Sequence, residues 1–389
     1  MRSIILFVFT LLSINVPVLA SSRLWQPPVT DEPGLDRRYL TIPVLRTLLG
    51  GGPLGFLGDQ IGWPNRRITY CFDSDEAKRK LNKHIQQAHK LWKSAGLNDD
   101  FKVVEGTKEM CTNDEYRGDV LMISYGRMLR TYVGFPKPTS TLVQTLGRGA
   151  FSTLTDRTDV GMLDVVPNIA HELGHAWGLY HEHQNSYFWN KVTDGPIPIE
   201  HAGAGQVFGP SRNGNWQCKN LLDYDSFKDG KEISPPNQMP RHYSRDELCN
   251  SHTLAQAAGF SAADYLPMRA SLSNSPILTP GDARSVDWDS IMIYPSGAGA
   301  IEGTEVQEND GDKRLSILER PPDPFDESET TGPRSRILKN KMPSVGDIEG
   351  MKQIYGDFKV AKGRLLQRTA QKLFAKGFTS SRGESSGCL

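Results

Sequence analysis

The chain has 389 residues, more than one small core needs and compatible with one large domain plus processing segments and a tail. Lys plus Arg and Asp plus Glu number 45 each, so no global field argues for nucleic acid or for an acidic partner. A hydrophobic content of 38%, with 37 Gly and 25 Pro, excludes a disordered chain and predicts a globular protein with many turns and long loops.

Residues 1–20 begin with Arg2, continue through an apolar run over 4–12 and end in Val18-Leu19-Ala20, the pattern of a cleavable signal peptide. Asn15 and Pro17 interrupt the run well short of a bilayer span and no other stretch is long enough, so no transmembrane segment is predicted and the protein is expected to be secreted and extracellular. Five cysteines fit an oxidising compartment. Proximity in the chain pairs Cys71 with Cys111 and Cys218 with Cys249, leaving Cys388 over. There is no Asn-x-Ser/Thr acceptor, so N-glycans are not expected. Residues 21–62 are rich in Pro, Gly and Leu without periodicity and read as a propeptide.

Residues 63–72 read as a strand, after which Asp73 or Ser74 can cap a helix carrying Leu81, Ile85, Ala88, Trp92 and Ala95 at helical spacing, with Gly96 as its stop. Strands are predicted over 101–104 and 120–125. His84 and His89 on the helix face solvent or a core edge in this reading and are not ligands. Residues 147–154 and 160–165 read as two further short strands, leading into a helix that Asp164 and Pro167 start.

That helix carries the densest chemistry of the chain, His171-Glu-Leu-Gly-His-Ala-Trp-Gly-Leu-Tyr-His181. Two residues four apart on a helix lie about 40° apart on one face, so His171 and His175 can reach one metal ion, with Glu172 beside them. Ile169, Leu173, Ala176, Trp177 and Tyr180 form an opposite, apolar side. Had the helix continued, His181 would be rotated by about 280° and carried about 15 Å along the axis. The helix must therefore stop, and Gly178 can stop it, because glycine takes a left-handed conformation without penalty and lets the chain swing His181 back. Three neutral imidazoles with an open fourth position describe a catalytic zinc site, and the spacing is a metalloprotease signature.

With His181 followed by Glu182 and His183, and Ser290-Ile-Met-Ile-Tyr294 downstream, the chain resembles the astacin family of zinc endopeptidases within the metzincins. The resemblance implies one zinc ion held by His171, His175 and His181, Glu172 as general base, Met292 as the turn beneath the metal, and Tyr294 as a residue that binds zinc or swings to the substrate. It implies an α+β, two-lobed metzincin-like domain, with a twisted mixed sheet and an active-site helix above the cleft and a mostly irregular lower lobe. One of the strands at 147–154 and 160–165 is then expected to form the cleft rim that pairs with substrate backbone, unless it pairs only within the sheet. Residues 63–72 resemble the opening strand of the family. Phe56-Leu-Gly-Asp59 matches its inhibitory Phe-x-Gly-Asp motif, which makes Asp59 the ligand that keeps the enzyme latent. The family cysteines near the rim strand and after the closing tyrosine are absent, and Asn185 stands where an arginine is common.

Residues 185–285 form a long Gly-, Ser- and Asn-rich insertion, helical at most over 254–266, which either sets specificity in the lower half of the cleft or merely lengthens loops. Residues 302–332 read as an exposed acidic loop around one strand at 315–318. Residues 343–355 resemble the closing helix, ending the catalytic domain, 63–357. The tail, 358–389, is a basic amphipathic helix with a Ser/Gly end, either packed on the domain or available to a polyanion or membrane surface. The sequence thus predicts a secreted zinc endopeptidase acting on protein or peptide substrates. A secreted zinc-binding protein without turnover, or a protease of another metzincin family, are the alternatives.

Overall fold

The computed structural model describes residues 19–21, 60–136, 149–184, 188–189, 207–209, 215–227, 230–234, 240–267, 286–304, 311–322 and 334–356. Asp59, most of the segment 21–62, much of the insertion and the tail lie outside the described residues.

A mixed sheet forms the frame. Its strands in chain order are β1 (Leu19–Ser21), β3 (Arg67–Phe72), β4 (Lys102–Glu105), β5 (Leu121–Tyr125), β6 (Arg130–Tyr132) and β8 (Phe151–Leu154). Their spatial order is β1-β6-β8-β5-β3-β4, parallel from β8 to β4, with β6 antiparallel to β8 and β1 antiparallel to β6. β1 lies across the boundary between the predicted segments 1–20 and 21–62. Two short strands, β2 (Gln60–Ile61) and β7 (Phe135–Pro136), pair antiparallel just beyond β6.

The long helix Asp75–Ser94 begins at Ser74, whose side chain accepts from Ala77 N, and gives way at Ala95 to Gly96 with φ 104°. It buries Leu81, Ile85, Ala88 and Trp92 of the predicted apolar stripe, while Ala95 caps its end and is half-buried, and Trp92 Nε1 donates to Ala170 O (2.8 Å) on the helix Val165–Trp177. The two indoles of Trp92 and Trp177 meet edge to face, with centroids 5.8 Å apart. Sheet and long helix therefore enclose the histidine helix, which is buried at nearly every position rather than on one face. Its polar residues are buried with it.

Three expectations change. Residues 160–165 are a turn, not a strand: Gly161 and Leu163 have φ of 56° and 55°, and Asn168 closes the turn by accepting from Met162 N (2.8 Å) and donating to Val160 O (3.1 Å). Local apolar residues suggested a strand, but two left-handed positions break the extension a strand requires. Among the described residues of 147–154 the strand is Phe151–Leu154, and it is interior, between β5 and β6, so it cannot be a rim. The strand on that side of the helix is β6, whose three residues are too short for the sequence to announce. Residues 315–318 are not a strand either. Leu318 makes only an isolated bridge to Trp216, and Glu319–Arg320 pairs with Ser335–Arg336.

After the histidine helix the described residues form mostly short turns and bridges. The helix predicted over 254–266 divides into His252–Ala258, ended by Gly259 at φ 70°, and a 3-10 turn Ser261–Asp264. The closing helix spans Val345–Gly356. Both expected disulfides form, Cys71–Cys111 and Cys218–Cys249.

Candidate metal centre and active site

Asp164 caps the histidine helix by accepting from Val166 N, and Gly178 ends it in the left-handed region (φ 112°), with its N–H shared between Gly174 O and His175 O. Leu179 N bonds Gly174 O, so the chain reverses at once and brings His181 back over the helix, as the spacing required. The reversal also delivers the Leu179 carbonyl to His175 Nδ1, at 2.8 Å.

Each of the three rings is held at Nδ1 by an acceptor. His171 bonds Ile291 O (2.7 Å), His175 bonds Leu179 O and His181 bonds Gln184 Oε1 (2.9 Å). A carbonyl can only accept, so Nδ1 carries the proton in the first two, and the Nε2 lone pairs point inward. The three Nε2 atoms lie 3.0, 3.0 and 3.2 Å apart. Three converging lone pairs at that distance repel unless a cation stands between them. Tetrahedral zinc with Zn–N of about 2.0–2.1 Å would set its nitrogens about 3.3 Å apart, close to what is seen. The residues present therefore fit a divalent metal ion, and they form the one His/Cys/Asp/Glu group of this kind among the described residues.

Burial keeps the imidazoles neutral, as ligation demands. They are 0, 1 and 2% exposed, and desolvation lowers His171 to about 4 and holds His175 and His181 well below the ordinary 6.5. Glu172 is 4% exposed, and burial pushes its carboxyl up to about 8, an effect partly offset by the nearby Thr131 side chain on β6. Its Oε2 finds no hydrogen-bond partner among the described residues. A carboxyl poised between its two protonation states near neutrality can accept a proton and return it.

The turn after Ser290 closes the site from below. Met292 N bonds Ser290 Oγ, Met292 O accepts from Glu182 N, and the neighbouring Ile291 O is the acceptor for His171. Met292 packs against the helix at Gly174, where a Cβ would come within 2.5 Å of its sulfur. Tyr294 is fully buried with its ring 4.4 Å from that of His181 and 4.5 Å from that of His183. Of the residues the sequence singled out, His171, His175, His181, Glu172, Met292 and Tyr294 thus gather in one place. Asp59 lies outside the described residues, although its neighbour Gln60 pairs with Pro136 just beyond β6. His84 and His89 stand apart from the group, His89 bonding Phe101 O (3.1 Å).

Thr131 and Gln184 escaped the sequence reading. Nothing in a three-residue strand marks Thr131, which shares a hydrogen bond with Ser152 Oγ (2.7 Å). Gln184, three residues after His181, sits where a single 3-10 turn returns a side chain, which was a readable signal.

Fold and site together define a mixed α/β protein with a buried three-imidazole group suited to a metal ion. No protein-family model matches the chain, and no curated protein matches it. Among solved structures the chain is similar to high choriolytic enzyme 1, a hatching enzyme zinc-protease from Oryzias latipes (medaka fish), with 15% identity and a TM-score of 0.34 over 77% of this chain and 94% of that one. A likeness of that size assigns neither fold nor activity.

Proposed function

We propose that this chain is a secreted zinc endopeptidase of astacin-like type, latent until its N-terminal segment is displaced or removed, acting on protein or peptide substrates. The observation that carries the reading is the convergence of three neutral, Nδ1-tethered imidazoles beside a buried carboxyl in an otherwise apolar setting.

His171, His175 and His181 would hold the zinc ion. When bound it lowers the pKa of a coordinated water from about 15.7 to about 7 and polarises a carbonyl oxygen. Glu172 follows His171 directly, so its carboxylate stands beside the ligand set and takes a proton from the attacking water. Burial raises its pKa, which favours taking up that proton, and the more basic leaving amine is the group that receives it. The Tyr294 hydroxyl donates to the developing oxyanion. Met292 and the Ile291 carbonyl hold the floor and one ligand in place. Asp59 is assigned the latency role, since a carboxylate is a good zinc ligand and displaces the water that has to be activated. The two disulfides fit an oxidising, extracellular setting.

Processed protein is assayed on a general protein substrate, alone, with a chelator, and after zinc is restored, beside Glu172→Gln. Hydrolysis should vanish with the chelator and return with zinc, and Glu172→Gln should keep zinc without cleaving. Chelator-insensitive hydrolysis, or wild-type rates in Glu172→Gln, would sink the assignment. Zinc bound by wild-type protein that never cleaves would make it a binding protein.

A further inference from the structure

His171 and His175 are tethered by backbone carbonyls, whereas His181 is tethered by a side chain, Gln184. The Gln184 amide has one orientation available. Its Nε2 donates to Ala263 O (3.2 Å) and Leu266 O (3.0 Å), so Oε1 faces His181. A flipped amide would set an oxygen against two carbonyl oxygens and an N–H against Nδ1. Oε1 can only accept, hence His181 Nδ1 carries the proton and Nε2 is free for the metal. Gln184 is fully buried, so water cannot substitute for it.

The partner of Gln184 is the turn at residues 261–266, within the long insertion. His183 bonds the same turn, Nε2 donating to Asp264 O (3.2 Å), while its Nδ1 accepts from Tyr294 N (3.4 Å). Tyr265, from the turn, packs on both His183 and Tyr294 with centroids 5.4 Å away and donates its hydroxyl to Ala298 O. Three carbonyls of one turn thus grip His183 and Gln184, two of the three residues that follow His181. The turn is itself fixed through the helix His252–Ala258 and the Cys218–Cys249 bridge, with Trp216 Nε1 bonding Cys249 O (2.9 Å).

We propose that Gln184 is a positioning residue that fixes the tautomer of the third metal ligand and couples it to the 261–266 turn, so that the insertion is a supporting wall of the metal centre and sets its metal affinity. This rests on the metal reading above. It gives the insertion a mechanical role beside the two the sequence suggests, specificity or loop length.

Zinc affinity of the full chain is measured by chelator competition for wild type, Gln184→Met and Asn215→Leu. The control removes another buried amide of the insertion, one that donates to Val207 O (2.6 Å), without touching the histidines. Gln184→Met should bind zinc about 10–100-fold more weakly, the usual loss for a partner that orients a ligand, and Asn215→Leu should bind as wild type even where both melt earlier. In metal-free protein, 15N spectra of the imidazoles should give His181 as the Nδ1–H tautomer in wild type and as a mixture in Gln184→Met. Unchanged affinity in Gln184→Met, or an equal loss in Asn215→Leu, overturns the proposal. So does an Nε2–H tautomer for His181 in wild type, which needs no variant to fold. Failure of wild type to bind zinc at all is a separate result and removes the metal reading itself.

Discussion

Gly174 stands between two candidate ligands on the histidine helix, and its missing side chain is a structural requirement that can be measured. A Cβ there would meet Met292 Sδ at 2.5 Å, Trp92 Cζ2 at 3.1 Å and Met292 Cε at 3.3 Å. Trp92 is fully buried and fixed by its bond to Ala170 O, so Met292 has to move. In an isolated helix Gly→Ala gains about 1 kcal/mol. Overpacking a core costs about 1–3 kcal/mol, so Gly174→Ala should be neutral to about 2 kcal/mol destabilising in wild type. With Met292→Ala already in place the obstruction is gone and only the tryptophan contact remains, which yields by a few tenths of an ångström. There Gly174→Ala should stabilise by up to about 1 kcal/mol. The cycle therefore carries an interaction of about 1–3 kcal/mol, read from urea unfolding of the four metal-free proteins with disulfides intact. Additivity within about 0.5 kcal/mol would refute the reasoning, because Gly174 would then not be kept bare by Met292.

Asp347 accepts from Ser290 Oγ (2.6 Å), Ile291 N (2.9 Å) and Ser344 N (2.8 Å), yet burial pushes it up from 3.8 to about 6 against those bonds. Below about pH 3 it is protonated folded and unfolded alike. As pH rises from about 4 to about 6 the unfolded chain ionises while the folded carboxyl stays protonated, so the burial penalty accumulates and removes on the order of 3 kcal/mol of stability by the time pH has passed the folded value. Asp347→Asn should flatten the fall in unfolding free energy between pH 4 and 7, and an unchanged pH profile would reject the cause given. Tyr294→Phe should lower turnover by about 100–1,000-fold, the range for losing one oxyanion donor, with zinc content and substrate binding nearly unchanged. Equal turnover would leave Tyr294 a core residue. Unprocessed Asp59→Ala should cleave a general protein substrate where unprocessed wild type does not, and equal latency in the two would show that Asp59 is not the inhibitory ligand.

What the sequence determined by itself was local in origin. Four-residue spacing places His171 and His175 on one face whatever surrounds them, and a left-handed Gly178 returns His181 through bonds made within five residues. The Ser74 cap and the stripe from Leu81 to Trp92 are equally short-range. The tertiary structure decided whatever depended on partners far along the chain. Residues 160–165 carry strand-like side chains, but Asn168 and two left-handed positions fold them into a turn. The strand beside Glu172 is a three-residue segment defined by pairing with β8, since extended backbone has no hydrogen bonds of its own to announce it. The Ile291 carbonyl that fixes His171, the sulfur over Gly174, and the turn at 261–266 behind Gln184 come from about 80–120 residues away, whereas the acceptors of His175 and His181 lie within four residues of them. Ligand identity is written in spacing. Ligand orientation is written there only in part, because the acceptor of His171 and the carbonyls that fix the Gln184 amide are brought into place by the packing of distant segments.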